Sequence, residues 1–239
     1  MEVVQAPDKK RLRLLMISLD GTPLDLIKRW DLPFLNSLME TGRSGILKSI
    51  FPPHTLIAFA SLLTGTDPAY HGVYNYVVLD EGRLRPVTGR DLRAKTVIET
   101  LSEAGIRVAS INVPMTSSLH LRNGFVVGSW DSPPGERYFH PPELDAALRR
   151  FDYEIVPYAI GERKLPKIAY EIERKRTEFA KYMLKTYPID LLMIHYYGTE
   201  LLHHKFASFL SDTSSRKSSN YENIVATFYQ EIDGLIRSL

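Results

Sequence analysis

Residues 12–21 read Leu12-Arg13-Leu14-Leu15-Met16-Ile17-Ser18-Leu19-Asp20-Gly21, a short apolar run that stops on a carboxylate and a glycine. A run of this length bounded by a turn signal predicts a buried strand. Short apolar segments at Ser44 to Ser49, Arg107 to Ile111, Phe125 to Gly128 and Asp190 to Ile194 follow the same pattern. Helical segments are expected between them near Leu24 to Trp30, Pro33 to Glu40, Ala58 to Thr64 and Thr96 to Ala104. This alternation predicts an α/β fold, a three-layer α/β/α arrangement around a mostly parallel sheet, with function at the carboxyl edge of the strands. Asp20, Thr55 and Glu200 all fall just after expected strand ends.

Downstream of Asp20 the chain reads Pro52-Pro53-His54-Thr55-Leu56-Ile57-Ala58-Phe59-Ala60-Ser61-Leu62-Leu63-Thr64-Gly65, and then His71-Gly72. A hydroxyl entering a helix sits where backbone N–H groups favour an anion. Thr55 alone is a poor nucleophile at neutral pH, and a divalent cation that binds it as the alkoxide would also neutralise a phosphate. The competing reading makes Thr55 a helix N-cap and nothing more. Further on, His195-Tyr196-Tyr197-Gly198-Thr199-Glu200-Leu201-Leu202-His203-His204 follows the apolar segment at 189–194. In a helix Glu200 and His204 lie four apart on one face, the spacing at which a carboxylate and an imidazole can share a cation, although an ordinary surface pair has the same spacing.

Four segments in order, Asp20-Gly21, Pro52 to Thr55, Ser61 to Gly65 and Pro68-Ala69-Tyr70-His71-Gly72, resemble the type I phosphodiesterase and nucleotide pyrophosphatase branch of the alkaline phosphatase superfamily. Leu32 to Gly42 and Ile111 to Thr116 add lesser matches, so the resemblance spans nearly the whole chain. It implies an alkaline-phosphatase-like sheet, Thr55 as nucleophile, and metal ligation by Asp20, Thr55, Glu200 and His204. It also implies two divalent ions, zinc ahead of manganese, since imidazole mixes with carboxylate in the ligand set. The chain departs from the pattern in several places. Ala58 stands where some relatives have an Asn that holds a phosphate oxygen, Glu200 replaces an Asp, and His203 stands where Gln is frequent. The family's later Asp-His-Gly turn and carboxyl-terminal His have no counterpart, because His204 is the last histidine and Asp233-Gly234 has none beside it. The ligands present would hold one ion or none, and the fold is expected to be incomplete at its carboxyl end. The implied activity is hydrolysis of a phosphodiester or nucleotide pyrophosphate. The alternatives are a truncated or non-catalytic relative acting as a binding or scaffold protein, and a phosphomonoesterase or phosphomutase of the same superfamily.

The rest of the chain sets the background. A length of 239 residues with 44% hydrophobic content supports a substantial core, read as one domain with a cap-like insertion at about 131–188. Aromatics of that insertion, Tyr138, Phe139, Tyr153 and Tyr158, could stack on a base or lie along a lipid head group, and packing onto the main domain is the simpler role. His71 and His140 read as structural, with His54 undecided. A net charge of +2 gives no sign of a nucleic-acid partner or a membrane-binding surface, so the expected partner is a small phosphodiester or nucleotide. The basic run at 9–13 reads as a solvated tail, 171–176 as an exposed helix face, and Ser211 to Asn220 as a loop. With no cysteine, thiolate coordination is excluded. Without a signal-like start or a spanning apolar stretch, the chain is expected to be cytoplasmic.

Overall fold

The computed structural model describes residues 14–155, 164–211 and 216–239. The basic run at 9–13 and Tyr158 lie outside them. Five strands make one sheet: β1 (Leu14–Leu19), β4 (Val108–Ile111), β5 (Gly124–Val127), β6 (Phe139–His140) and β7 (Leu191–Tyr196), in the order β1-β7-β4-β5-β6. The four longer strands are parallel and only the short β6 runs antiparallel, against β5. Strands buried on both faces read as nearly continuous apolar runs, which is how four of them were legible in the sequence.

Alternation along β7 sends Leu192, Ile194 and Tyr196 into one core and Leu191 and Met193 into the other. The first core lies beneath α1 (Leu24–Arg29), α2 (Pro33–Thr41), α7 (Leu165–Thr186), α8 (Gly198–Ser211) and α9 (Arg216–Arg237). The second lies beneath α3 (Thr55–Thr64) and α5 (Val97–Glu103), with α4 (Pro68–His71) packed on α3. α6 (Asp145–Arg150) adds Leu148 to the first core. Within the 131–188 stretch, α7 contributes Ala169, Phe179, Ala180 and Met183 to that core, and Tyr138, Phe139 and Tyr153 pack on it too. A separate hairpin, β2 (Val77–Asp80) and β3 (Arg83–Pro86), turns through Glu81 and Gly82, both at positive φ.

Three sequence readings need correction. Ser44 to Ser49 is not a strand: these residues have no regular structure, and Ile46 and Leu47 are 91% and 90% exposed. An apolar run becomes a strand only where a neighbouring strand can pair with it, and β1 pairs with β7 alone among the described residues. The 216–220 part of the expected loop opens α9. The 171–176 stretch is not a uniformly solvated face, because Glu173 and Arg176 are each only 1% exposed. They form an ion pair inside the protein, and Glu173 Oε1 also accepts from the N–H groups of Tyr197 (2.9 Å) and Gly198 (2.7 Å). Arg176 in turn donates to the Ile155 carbonyl at 3.1 Å.

Removing one partner of a buried pair leaves an uncompensated charge, a loss of about 3–5 kcal/mol. Glu173→Ala is therefore expected to lower the urea midpoint far more than Glu171→Ala, whose ion pair with Arg174 is exposed on the same helix. Equal effects of the two substitutions in urea titrations would show that Glu173 caps nothing.

Candidate functional site

Parallel pairing of β1 with β7 sets Ser18 beside His195, and Asp20 follows one pleat further along. Residues 16, 18 and 20 share the face of the sheet that meets α3, as do Met193 and His195. The His195 ring meets Phe59 of α3 edge-on at 5.0 Å between centroids. Thr55 lies four residues before Phe59, so it stands one helical turn away on the same side of α3. Topology thus directs Asp20, His195 and Thr55 toward one end of one layer.

Asp20 Oδ1 accepts from the Gly21 N–H at 3.0 Å, while Oδ2 is buried with no hydrogen-bond partner. Facing it at 3.7 Å is His195 Nε2, also buried and unpartnered, whose other ring nitrogen meets Ser18 Oγ at 3.2 Å. The separation of the two orphan atoms exceeds hydrogen-bond length. Burial, reinforced by the nearby Glu200 charge, pushes the Asp20 carboxyl up to about 6. Burial also pushes the His195 imidazole down to about 3, so it stays neutral at physiological pH.

The second half of the site comes from α8, which starts two residues after β7 ends. Glu200 Oε1 and His204 Nε2 are 2.8 Å apart in an i,i+4 pair on one helix face. Glu200 reaches across to β1: a side chain at position 21 would collide with its Oε2, and Gly21 also has φ 60°. A larger residue there would have to displace the Glu200 carboxylate and adopt a strained left-handed backbone. Thr199 Oγ1 donates to the Asp20 carbonyl at 2.6 Å, fixing the approach of α8 to β1. His203 is committed elsewhere, its Nε2 lying 2.8 Å from Tyr229 Oη, which in turn meets Thr22 Oγ1 at 2.9 Å.

Thr55 is the first residue of α3, His54 is the flanking residue, and no side chain caps the helix. The capping role weighed for Thr55 is not what its hydroxyl does here. His71 has the structural setting expected of it, with Nδ1 accepting from the Val73 N–H at 3.1 Å and Nε2 lying 3.0 Å from Ser61 Oγ. His54 packs edge-on against Tyr76, which begins an aromatic series continuing through Trp130 to Tyr197. His140 packs edge-on against His120, away from this series.

Sequence reasoning gave no role to His195, although an imidazole inside an otherwise apolar strand was a visible signal. It also passed over Asn112 after β4, whose Nδ2 donates to the His195 carbonyl at 2.9 Å and whose φ is 58°. Among the described residues no three His, Asp or Glu side chains converge, as they stand, into a group that could hold a metal ion. The donor chemistry nonetheless fits a cation: a buried carboxylate oxygen and a neutral imidazole nitrogen face each other unpartnered, beside a second carboxylate and imidazole.

The family model described as type I phosphodiesterase / nucleotide pyrophosphatase matches residues 14–239. The chain belongs to this family. Its fold is similar to that of phosphonoacetate hydrolase from Sinorhizobium meliloti 1021, solved in complex with phosphonoacetate. That comparison gives a TM-score of 0.59 at 18% identity, over 94% of this chain and 54% of the other. The phosphonoformate complex of the same enzyme gives 0.58 at 18% identity over the same shares. The chain thus spans about half the length of these neighbours. No curated protein matches the chain.

The folded-state carboxyl of Asp20 titrates near 6 and the unfolded one near 3.8, so the unfolded chain binds fewer protons between these values. Its contribution is favourable below about pH 4 and is lost as pH rises through about 6. In metal-free buffer Asp20→Asn should be more stable than wild type by about 3 kcal/mol near pH 7, with the difference vanishing below about pH 4. Urea titrations at both pH values measure this, and a variant less stable at pH 7 would refute the assignment.

Proposed function

We propose that this protein hydrolyses a phosphodiester or nucleotide pyrophosphate bond, with Thr55 as nucleophile and a divalent cation at Asp20, Glu200 and His204. The observation that carries the reading is the pair of orphan atoms, Asp20 Oδ2 and His195 Nε2, at the carboxyl edge on the face shared with α3. A carboxylate left without a partner in a buried setting is unfavourable unless a cation or a proton completes it. Imidazole and carboxylate together favour zinc, with manganese next. A bound cation would make the Thr55 hydroxyl acidic enough to react and would offset the phosphate charge.

The chain's own residues account for the remaining steps. Thr55 Oγ forms a bond to phosphorus and loses its proton; the bond from phosphorus to the leaving oxygen breaks, and that oxygen takes up a proton. Water then cleaves the phosphothreonine and frees the hydroxyl. Thr55 enters α3 as its first residue, so the free N–H groups of the first helical turn surround the phosphate position. With Ala at 58, no side-chain amide reaches a phosphate oxygen from that position, and loss of one such donor lowers rates by roughly 10²–10³. Turnover is therefore expected to be slow.

Hydrolysis of bis-p-nitrophenyl phosphate with added Zn²⁺ or Mn²⁺ tests the reading. Thr55→Ala should abolish turnover while leaving the urea midpoint unchanged, and His204→Ala should weaken metal binding by about tenfold or more. Turnover that survives in Thr55→Ala rejects the threonine mechanism, and wild-type inactivity with metal bound leaves the family's fold serving a binding role.

A further inference from the structure

Two pairs of carboxylate and imidazole stand at the carboxyl edge, and they differ in how far each completes itself. Glu200 Oε1 and His204 Nε2 are 2.8 Å apart, a hydrogen bond that satisfies both atoms, and the His204 side chain is 77% exposed. Asp20 Oδ2 and His195 Nε2 are 3.7 Å apart, and each is buried without a partner among the described residues. The His195 side chain is 0% exposed, so water does not complete it from the surface.

A buried ring nitrogen left unpaired is unfavourable, yet the fold holds this ring in place. Parallel register sets His195 beside Ser18, whose Oγ lies 3.2 Å from Nδ1. Phe59 of α3 packs against the ring edge-on at 5.0 Å between centroids. Asn112 Nδ2 donates to the His195 carbonyl at 2.9 Å and fixes the strand behind it. The remaining nitrogen, Nε2, is thereby kept facing Asp20.

Their separation of 3.7 Å is too long for a hydrogen bond between them. It suits two ligands of one ion: zinc–ligand bonds of about 2.1 Å put adjacent corners of a tetrahedron about 3.4 Å apart, and opposed bonds about 4.2 Å apart. A histidine that holds a metal through one ring nitrogen characteristically donates the proton of the other to an oxygen. Ligation through Nε2 leaves the proton on Nδ1, where Ser18 Oγ stands to accept it.

We propose that His195 is a ligand of the cation, paired with Asp20, and that Ser18 is the positioning residue that fixes its tautomer. The assignment rests on the cation reading above and deepens it, adding an imidazole from inside the sheet to Asp20, Glu200 and His204. Because strand pairing and Phe59 already hold the ring, ligation costs it little side-chain freedom, whereas the exposed His204 has its rotamers to lose.

Zn²⁺ titration of the 239-residue chain, followed by proton–nitrogen correlation of the rings of its seven histidines, tests the assignment. At saturation the His195 Nε2 signal should shift while Nδ1 keeps its proton. Zn²⁺ affinity, measured by competition with a chromophoric chelator, should fall about a hundredfold in His195→Phe, which keeps a ring against Phe59. In Ser18→Ala the affinity should fall about tenfold, and the metal-free His195 ring should move toward the tautomer protonated at Nε2. The wild-type spectra and Ser18→Ala decide the matter if His195→Phe does not fold. A His195 signal unmoved by Zn²⁺, as a water molecule filling the gap would leave it, overturns the proposal. So does wild-type affinity in His195→Phe, or no Zn²⁺ binding at all. Hydrolysis of bis-p-nitrophenyl phosphate by the same preparation separates the two readings. A shifted His195 signal without turnover keeps the ligand and removes the hydrolase; turnover with an unmoved signal does the reverse.

Discussion

The site hangs on the contact between Glu173 of α7 and the first N–H groups after β7. Only Tyr197 separates the strand from α8, so this junction has almost no slack, and the helix would begin with unsatisfied donors in the interior. One carboxylate oxygen takes the N–H groups of both Tyr197 and Gly198, and the other meets Arg176. A second tie lies alongside, where Thr177 Oγ1 and Tyr196 Oη are 2.8 Å apart. Gly198 has no room for a side chain, since a Cβ there would press on the Phe228 ring at 2.7 Å and on Glu173 Oε1 at 3.2 Å. With the exit of α8 fixed in this way, Glu200 lands against Gly21, and two sequence-distant segments make one site.

The same contact explains which parts of the molecule were legible in advance. β1, β4, β5 and β7 each announced themselves as apolar runs because a parallel sheet buries both faces, and Asp20 and Glu200 stood out because they follow strand ends, with His204 one helical turn after Glu200; Thr55 was read the same way, but the strand expected before it is absent. Glu173 and Arg176 did not stand out. Their i,i+3 spacing is common to solvated and buried pairs, and what buries them, Tyr153 and the 197–198 turn, lies more than twenty residues away. Ser44 to Ser49 failed for the opposite reason: its composition suits a strand, but strand character belongs to a pair. The β2–β3 hairpin was missed although Asp80-Glu81-Gly82 carried the turn signal. Asp131 was seen only as the opening of an insertion, since nothing local shows that Met115 will occupy one of its oxygens.

Across the carboxyl edge, burial wins over local stabilisation at three titratable groups. Asp20 has the Gly21 N–H to favour its charged form, and Asp131 has the Met115 N–H, yet both carboxyls are pushed up to about 6 because desolvation outweighs one hydrogen bond. His195 is driven in the matching direction and remains an uncharged acceptor, its positive form disfavoured further by Arg176. The carboxyl groups thus oppose folding at neutral pH, against a total stability of only about 5–15 kcal/mol for a domain. The two well-packed cores on either face of the sheet support this edge.

That balance separates the two acidic positions from the rest of the fold in a physically meaningful way. Elsewhere buried charges are completed from within the chain: Arg107 with Asp190 at 2.7 Å, Glu173 with Arg176, and Asp233 with the Phe34 and Leu35 N–H groups of α2 at 2.9 and 2.8 Å. Asp20 and Asp131 are the carboxylates with a buried oxygen that nothing among the described residues completes. They flank the start of α3 from two sides, Asp20 through His195 and Phe59, and Asp131 through a cavity that Leu56 helps to line. A chain able to pair its other buried acids has left one oxygen of each of these two open. The opposite arrangement, with each acid satisfied internally, would give a more stable edge with no buried carboxylate oxygen left open at it.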